Sequence, residues 1–216
     1  MNRIDLLAYL ASDSEILCDV GCDHAYVLIK AILNHNVKKG IAADVALGPL
    51  SSAKRSIEDA NLSDKITLVL SDGFKSINED FDTAIIAGMG GILIKNILDA
   101  SLEKIEGKKL ILEPNSDASL VRSFLANNNF IIIDEYAIID QNKYYEIIVA
   151  KPGIKNYTLD EIKYGPILLA KKPKEFIEHY NKKISILAKA IDKITDEKIK
   201  SEKLNEIEEY KRIIGE

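Results

Sequence analysis

Short apolar runs that stop at a glycine, an acid or a proline alternate with stretches whose apolar residues recur every three or four positions. Residues 16–20, Ile-Leu-Cys-Asp-Val, stop at Gly21, and apolar positions at helical spacing follow from Ala25 to Leu33. This predicts a strand and then a helix. The pattern recurs: 39–44 leads into a helix near 47–60, and 66–70 ends at Ser71-Asp72-Gly73. Farther on, 83–87 ends at Gly88 before a helix near 92–101, and 109–113 ends at Pro114-Asn115 before a helix near 117–128. Strands alternating with helices predict a largely parallel, doubly wound α/β sheet, because each parallel return needs a crossover.

The alternation stops at residue 130. Residues 130–139 and 143–150 are two strand-like runs separated only by Asp140-Gln141-Asn142, which predicts a hairpin. A Rossmann-like parallel sheet that closes on an antiparallel hairpin is the topology of class I methyltransferases, whereas nicotinamide-binding domains end on a parallel strand. Pro152-Gly153 marks a boundary, so residues 1–152 are expected to form one domain and 153–216 a second. After Gly165-Pro166 the chain turns helical, and Ile177, Tyr180, Ile184, Leu187, Ile191 and Ile194 form a heptad seam. Thr195-Asp196 then predicts the start of a second helix carrying Ile199, Leu204, Ile207 and Ile214 on one side. Helices joined by so short a link fold back as an antiparallel coiled-coil hairpin. One chain can satisfy the seam, so a monomer is expected over a dimer.

Composition adds limits. The 216 residues hold one full α/β core and a modest appendage, and 47% apolar with 29% charged residues describes a chain folded throughout. No apolar run is long enough to span a bilayer and no signal-peptide pattern opens the chain, so a cytoplasmic protein without membrane contact is expected. Cys18 and Cys22 have no companions that would complete a zinc site, and both are expected to be reduced thiols. The net charge of −5 hides an asymmetry. Between Lys163 and Lys193 stand Lys163, Lys171, Lys172, Lys174, Lys182, Lys183, Lys189 and Lys193, opposed by Glu175, Glu178 and Asp192. That stretch suits either a phosphate-facing strip or a solvated helix surface.

In a doubly wound sheet the ligand sits outside the carboxyl ends of the strands, so the residues where strands stop carry the chemistry. Gly21 lets the backbone approach a cofactor, and Asp19 is placed to fix that loop or to meet the cofactor's amino-acid end. Asp44 ends the second strand and can accept from both ribose hydroxyls; Asp72-Gly73 ends the third, where an acid can accept from an adenine amino group. After the fourth strand comes Gly88-Met89-Gly90-Gly91, whose glycines suggest backbone bordering the transferred group or its target. The usual acid-x-Gly-x-Gly-x-Gly pattern is incomplete, since Asp23 and Ala25 occupy the second and third glycine positions.

Four segments in this order, Asp19-Val20-Gly21-Cys22-Asp23-His24-Ala25-Tyr26, Ala87-Gly88-Met89-Gly90-Gly91, Leu110-Ile111-Leu112-Glu113-Pro114-Asn115 and Tyr144-Tyr145-Glu146-Ile147, resemble the bacterial tRNA (adenine 22-N1)-methyltransferase family, TrmK. The resemblance runs from Arg3 to the Gly165-Pro166-Ile167-Leu168 segment and departs at Leu28, where a proline opening the helix is expected. It implies S-adenosylmethionine as cofactor, tRNA as partner and N1-methyladenine as product. Because adenine N1 has a free lone pair, transfer needs positioning more than a base. Asp23 would then stabilise the developing positive charge, and His24 would orient Asp23 or bond the base. Asn115 would meet the adenine edge, and Tyr26 or Tyr145 would stack on a flipped base. Duller roles stand beside these: His24 as a helix cap, Asn115 as a turn former and Tyr145 as core. His35 and His179, outside the motif, are expected on the surface. The alternatives to tRNA methylation are a small-molecule methyltransferase and a non-enzymatic interaction module built on the coiled coil.

Overall fold

The structure is a computed structural model that describes residues 1–191 and 193–216. In chain order it comprises α1 (Arg3–Leu10), β1 (Ile16–Val20), α2 (Tyr26–Asn34), β2 (Lys39–Asp44), α3 (Leu47–Asp59), β3 (Ile66–Leu70), β4 (Thr83–Met89), α4 (Gly91–Asp99) and α5 (Leu102–Ile105). Then come β5 (Lys109–Pro114), α6 (Ala118–Asn127), β6 (Phe130–Asp140), β7 (Lys143–Pro152), α7 (Leu159–Tyr164), α8 (Pro166–Lys171), α9 (Lys174–Ile191) and α10 (Glu197–Ile214). The predicted strands all form. Helices α1, α5 and α7 were not anticipated, although two of them carry local start signals. The Asn2 side chain caps α1 by accepting from the Asp5 amide, and Thr158 with Glu161 forms a reciprocal capping box on α7.

One sheet holds the strands in the order β3-β2-β1-β4-β5-β7-β6. β1 to β5 pair in parallel, and β7 inserts antiparallel between β5 and β6, as the hairpin pattern predicts. Its turn residues Gln141 and Asn142 both take the left-handed conformation, which matches the twist of a tight hairpin. Because successive strand residues point to opposite faces, Leu17, Ile85, Ile111 and Ile147 enter one core under α1 to α3. Their neighbours Cys18, Ile86, Leu112 and Ile148 enter the other, with α4 and α6. Both cysteines are free and buried.

A bulge between Ile132 and Asp134 shifts the alternation of β6 by one residue and turns Glu135 inward. There Arg122 of α6, fully buried, donates from Nε to Glu135 Oε1 at 2.7 Å and from Nη2 to Glu146 Oε2 at 2.5 Å. Glu135 Oε2 accepts from the Ile167 amide at 2.8 Å and so fastens the start of α8 to the sheet. Gly165, at φ +94°, lies so close that a Cβ there would stand 2.6 Å from the Glu135 carboxylate. Beyond this anchor, Tyr164, Leu168, Phe176, Tyr180, Tyr210 and Ile213 form a third core.

The α9 seam forms from Ile177 to Ile191, with Tyr180 and Ile191 buried and Ile177, Ile184 and Leu187 partly buried against the third core, but Ile194, its last predicted position, lies beyond the end of the helix. On α10 the predicted side needs correction. Ile207 and Ile214 are buried, but Ile199 and Leu204 are 46% and 47% exposed. Tyr210 lies between Ile207 and Ile214, and that three-and-four spacing carries the inward stripe back through Lys203 rather than through Leu204. Of the lysine strip, Lys163 is paired with Glu209, Lys171 with Asp134 and Lys174 with Glu178. Lys182 and Lys183 are in no ion pair among the described residues. Asp192 of that strip lies outside the described residues.

Candidate active site

The loop after β1 opens a cavity of about 390 Å³ at the carboxyl edge of the sheet. Its conformation explains the incomplete glycine pattern. Gly21, Asp23 and Ala25, at the three glycine positions, all have positive φ: +80°, +44° and +56°. The glycine-type loop is therefore kept with two residues that disfavour it, and hydrogen bonds hold it there. The Gly21 and Cys22 amides donate to Ala43 O, and the Ala25 amide donates to Cys22 O at 2.7 Å. The Asp23 side chain, 73% exposed, lines the cavity.

Asp19, Gly21, Asp23, His24, Asp44, Gly88 and Met89 all line this cavity, as does Tyr26. Gly21 is favoured by its φ of +80°, and a Cβ there would also have to displace the flexible end of the Met89 side chain. Asp19 is 4% exposed, and among the described residues its carboxylate accepts no hydrogen bond. Burial, with the Asp44 carboxylate nearby, pushes it up to about 7. A buried acid without a donor fits a cationic ligand group. Asp44 accepts from the Ala46 amide through Oδ1 and keeps Oδ2 for a ligand; Asp44→Ala should weaken cofactor binding about tenfold by calorimetry, and unchanged affinity would remove it from the site. Asp72 and Gly73 do not line the cavity: the Asp72 carboxylate is 63% exposed and paired with Lys75, and Gly73 turns the chain beside Ile97.

His24 does not cap α2; its ring stacks on Tyr26 at 5.1 Å with the planes 7° apart, and its Nε2 lies 3.8 Å from Asp23. The three glycines around the end of β4 have different reasons. Gly88 takes φ +77° and borders the cavity. Gly91 allows α4 to start against the next loop, since a Cβ would lie 2.5 Å from Asp117 O, and Gly90 has ordinary extended backbone. Asn115 donates from Nδ2 to Gly88 O at 2.6 Å and accepts from Lys143 at 3.3 Å. Arg3 and Lys143 sit over the Tyr145 ring at 5.0 and 4.9 Å.

A second feature begins at Asn115. A hollow of about 320 Å³ lined by Asn115, Ser116, Tyr144, Lys163, His179 and Lys183 shares Tyr144, His179 and Lys183 with a larger one. That one, about 650 Å³, continues past Lys143 and Lys182 between the β6–β7 turn and α9. His179 is thus not a free surface residue: its ring stacks on Tyr144 at 3.8 Å, and burial beside Lys183 lowers it to about 4. Its pairing across 35 residues has no local signal. The buried Arg122 cluster and Arg3, which also lines the cofactor-side cavity, were likewise not anticipated as site or anchor residues.

Sheet order, glycine cradle and strand-end acids together define a class I S-adenosylmethionine-dependent methyltransferase. The family model of TrmK, tRNA (adenine(22)-N(1))-methyltransferase, matches residues 17–214, and the chain belongs to this family. The Bacillus subtilis tRNA (adenine(22)-N(1))-methyltransferase is 32% identical, over all of this chain and 95% of that protein. A Streptococcus pneumoniae protein crystallised with S-adenosyl-L-methionine superposes with a TM-score of 0.89 at 30% identity, over 99% of this chain and 100% of the other. Mycoplasma capricolum TrmK in complex with S-adenosyl-homocysteine gives 0.85 at 26% identity, over 98% and 96%.

Proposed function

We infer that this chain methylates N1 of adenine 22 in tRNA, with S-adenosylmethionine in the cavity over Gly21 and the RNA along the groove beside α9. Family membership supplies the reaction. The observation that supports this division of labour is the Asn115–Gly88 hydrogen bond, which joins the groove to the cavity and so puts a long, lysine-lined surface next to the methyl-transfer position. A small-molecule enzyme has no use for such a surface. On this reading residues 1–152 hold the cofactor and 153–216 grip RNA, in a cytoplasmic monomer; no described helix is long and apolar enough to cross a membrane.

When bound, the cofactor supplies an electrophilic methyl on sulfonium, which adenine N1 takes with its own lone pair. The protein has to place the base and tolerate the cationic product. Tyr26, 52% exposed and stacked on His24, offers a face to an extruded adenine. Asp23, beside His24, supplies negative charge where the product ring becomes positive. Asn115 fixes the Gly88 carbonyl at the boundary of the two sites, a positioning role, and Tyr145 supports Arg3 and Lys143.

Tritium transfer from labelled S-adenosylmethionine to tRNA from a strain lacking the activity should yield labelled N1-methyladenine; label appearing only in small metabolites would overturn the reading. Replacing Lys182 and Lys183 by Gln should lower tRNA affinity and reduce the salt dependence by roughly one to two ion contacts, with cofactor affinity unchanged. A salt dependence equal to wild type would remove α9 from the RNA interface.

A further inference from the structure

We propose that the hollow between the β6–β7 turn and α9 is a slot for one unpaired base of the RNA, other than the methylated adenine. On this account the groove reads a looped strand by a second base and is more than a track for phosphates. This rests on the reading of that groove as the RNA-facing surface.

Three observations lead to the slot. First, its walls are apolar, which a phosphate track does not need. Ile139, near the end of β6, and Ile186, on α9, are 42% and 58% exposed, and both line the hollow. Single exposed apolar residues are ordinary, but these two flank the opening that also holds the Tyr144 and His179 rings. Ile139 stands directly opposite Tyr144 across the hairpin. The volume of about 650 Å³ lies within the roughly 300–1,000 Å³ of pockets that enclose small ligands, so a nucleobase fits.

Second, the aromatic floor is ordered in advance. Tyr144 donates its hydroxyl to Glu146 Oε1 at 3.0 Å, and Glu146 Oε2 accepts from the buried Arg122. His179 stacks on Tyr144 with the planes 15° apart, and the Tyr180 ring meets it edge-on at 5.1 Å. A base that settles against rings already held this way costs little side-chain entropy. Third, the rim is cationic. Lys143, Lys182 and Lys183 line it and are in no ion pair among the described residues, while Glu178, the one acid of the lining, is paired with Lys174. Apolar walls under three ammonium groups complement a base with its flanking phosphates, and Asn142 offers a donor and an acceptor to the base edge. Duplex RNA presents no base face, so the occupant comes from a loop. The slot shares Tyr144, His179 and Lys183 with the hollow that reaches Asn115, so a strand along both passes from the slot to the methyl-transfer position.

Binding of full-length protein to fluorescently labelled tRNA, read by anisotropy over a range of salt, tests the proposal. The double variant Ile139→Ser, Ile186→Ser should weaken tRNA about five- to fiftyfold, with the salt dependence and the affinity for S-adenosylhomocysteine unchanged. Synthetic tRNAs that keep the target adenine and carry a single abasic nucleotide, moved through the unpaired positions, identify the occupant. At one position the abasic tRNA should bind wild type as weakly as the intact tRNA binds the double variant, and should bind the double variant no more weakly than the intact tRNA does. Wild-type affinity in the double variant, a salt dependence that falls with it, or the lack of any such position would each overturn the slot. Failure of the wild-type protein to bind intact tRNA would instead overturn the reading of the groove as the RNA surface.

Discussion

Arg122→Met should lower stability by about 3–5 kcal/mol, the range for removing one partner of a buried ion pair. The replacement removes the charge that two carboxylates face. Glu135 is buried completely, and its carboxyl is pushed up by burial even with Arg122 in place. Without Arg122 it must take up a proton or remain buried as an uncompensated charge. In a protein of this size the change corresponds to a melting temperature lower by roughly 10 °C or more. The loss should shrink as pH falls, because protonation of Glu135 relieves it, and hydrogen exchange should rise first in 159–171, where Lys163 O and the Ile167 and Leu168 amides bond the cluster. Pairing Arg122→Met with Glu135→Leu should recover part of the stability, since an apolar replacement leaves no carboxylate at that position. A single variant as stable as wild type would show that the aromatic core of Tyr164, Phe176 and Tyr180 alone docks the C-terminal helices.

That cluster shows where sequence reading reaches its limit. The strands were legible because each is a short apolar run closed by a glycine, acid or proline, and the hairpin because its two runs lie three residues apart. Glu135 was not, because one bulged residue, Ile133, reverses the inward and outward alternation of β6; a two-residue period read straight through places Glu135 on the wrong face. Arg122 looks like the one charged residue of α6, free to face solvent, until Glu135 and Glu146 are brought to it. The missed helices are a different case. Eight and six residues are too few to show periodicity, yet Asn2 with Asp5 and Thr158 with Glu161 carried the capping signal that was available.

The site divides along the same line. Asp19, Gly21, Asp23, His24, Asp44 and Gly88 were legible because strand ends in a doubly wound sheet converge on one edge, so a one-dimensional list of strand ends is already a map of the cavity. Asp72 and Gly73 satisfy the same rule in sequence and still fall outside the lining, because the Asp72 side chain turns to Lys75. Arg3, His179 and Lys143 reach their places through helices and a hairpin that cross strand ends from elsewhere. Their roles depend on packing, which composition and spacing do not encode.

Asp19 should make cofactor binding depend on pH in a predictable direction. Its carboxyl is pushed up to about 7 in the free protein, and only the ionised form can hold a ligand ammonium. Between pH 7.5 and 5.5 the dissociation constant of S-adenosylhomocysteine should therefore rise by about tenfold per unit below 7, with one proton released on binding at the acid end. The sign for folding is opposite. A folded-state value above the unfolded 3.8 means that Asp19 favours the folded state at low pH and that this contribution is lost as pH rises to about 7. Bound ligand offsets that loss, so the stabilisation conferred by S-adenosylhomocysteine should grow over the interval in which the free protein weakens. Asp19→Asn should flatten both profiles and weaken binding by about tenfold or more. Calorimetry in buffers of different ionisation enthalpy reads the proton release directly. A variant that retains the wild-type slope would assign the titration to another group and leave Asp19 as a strut of the loop.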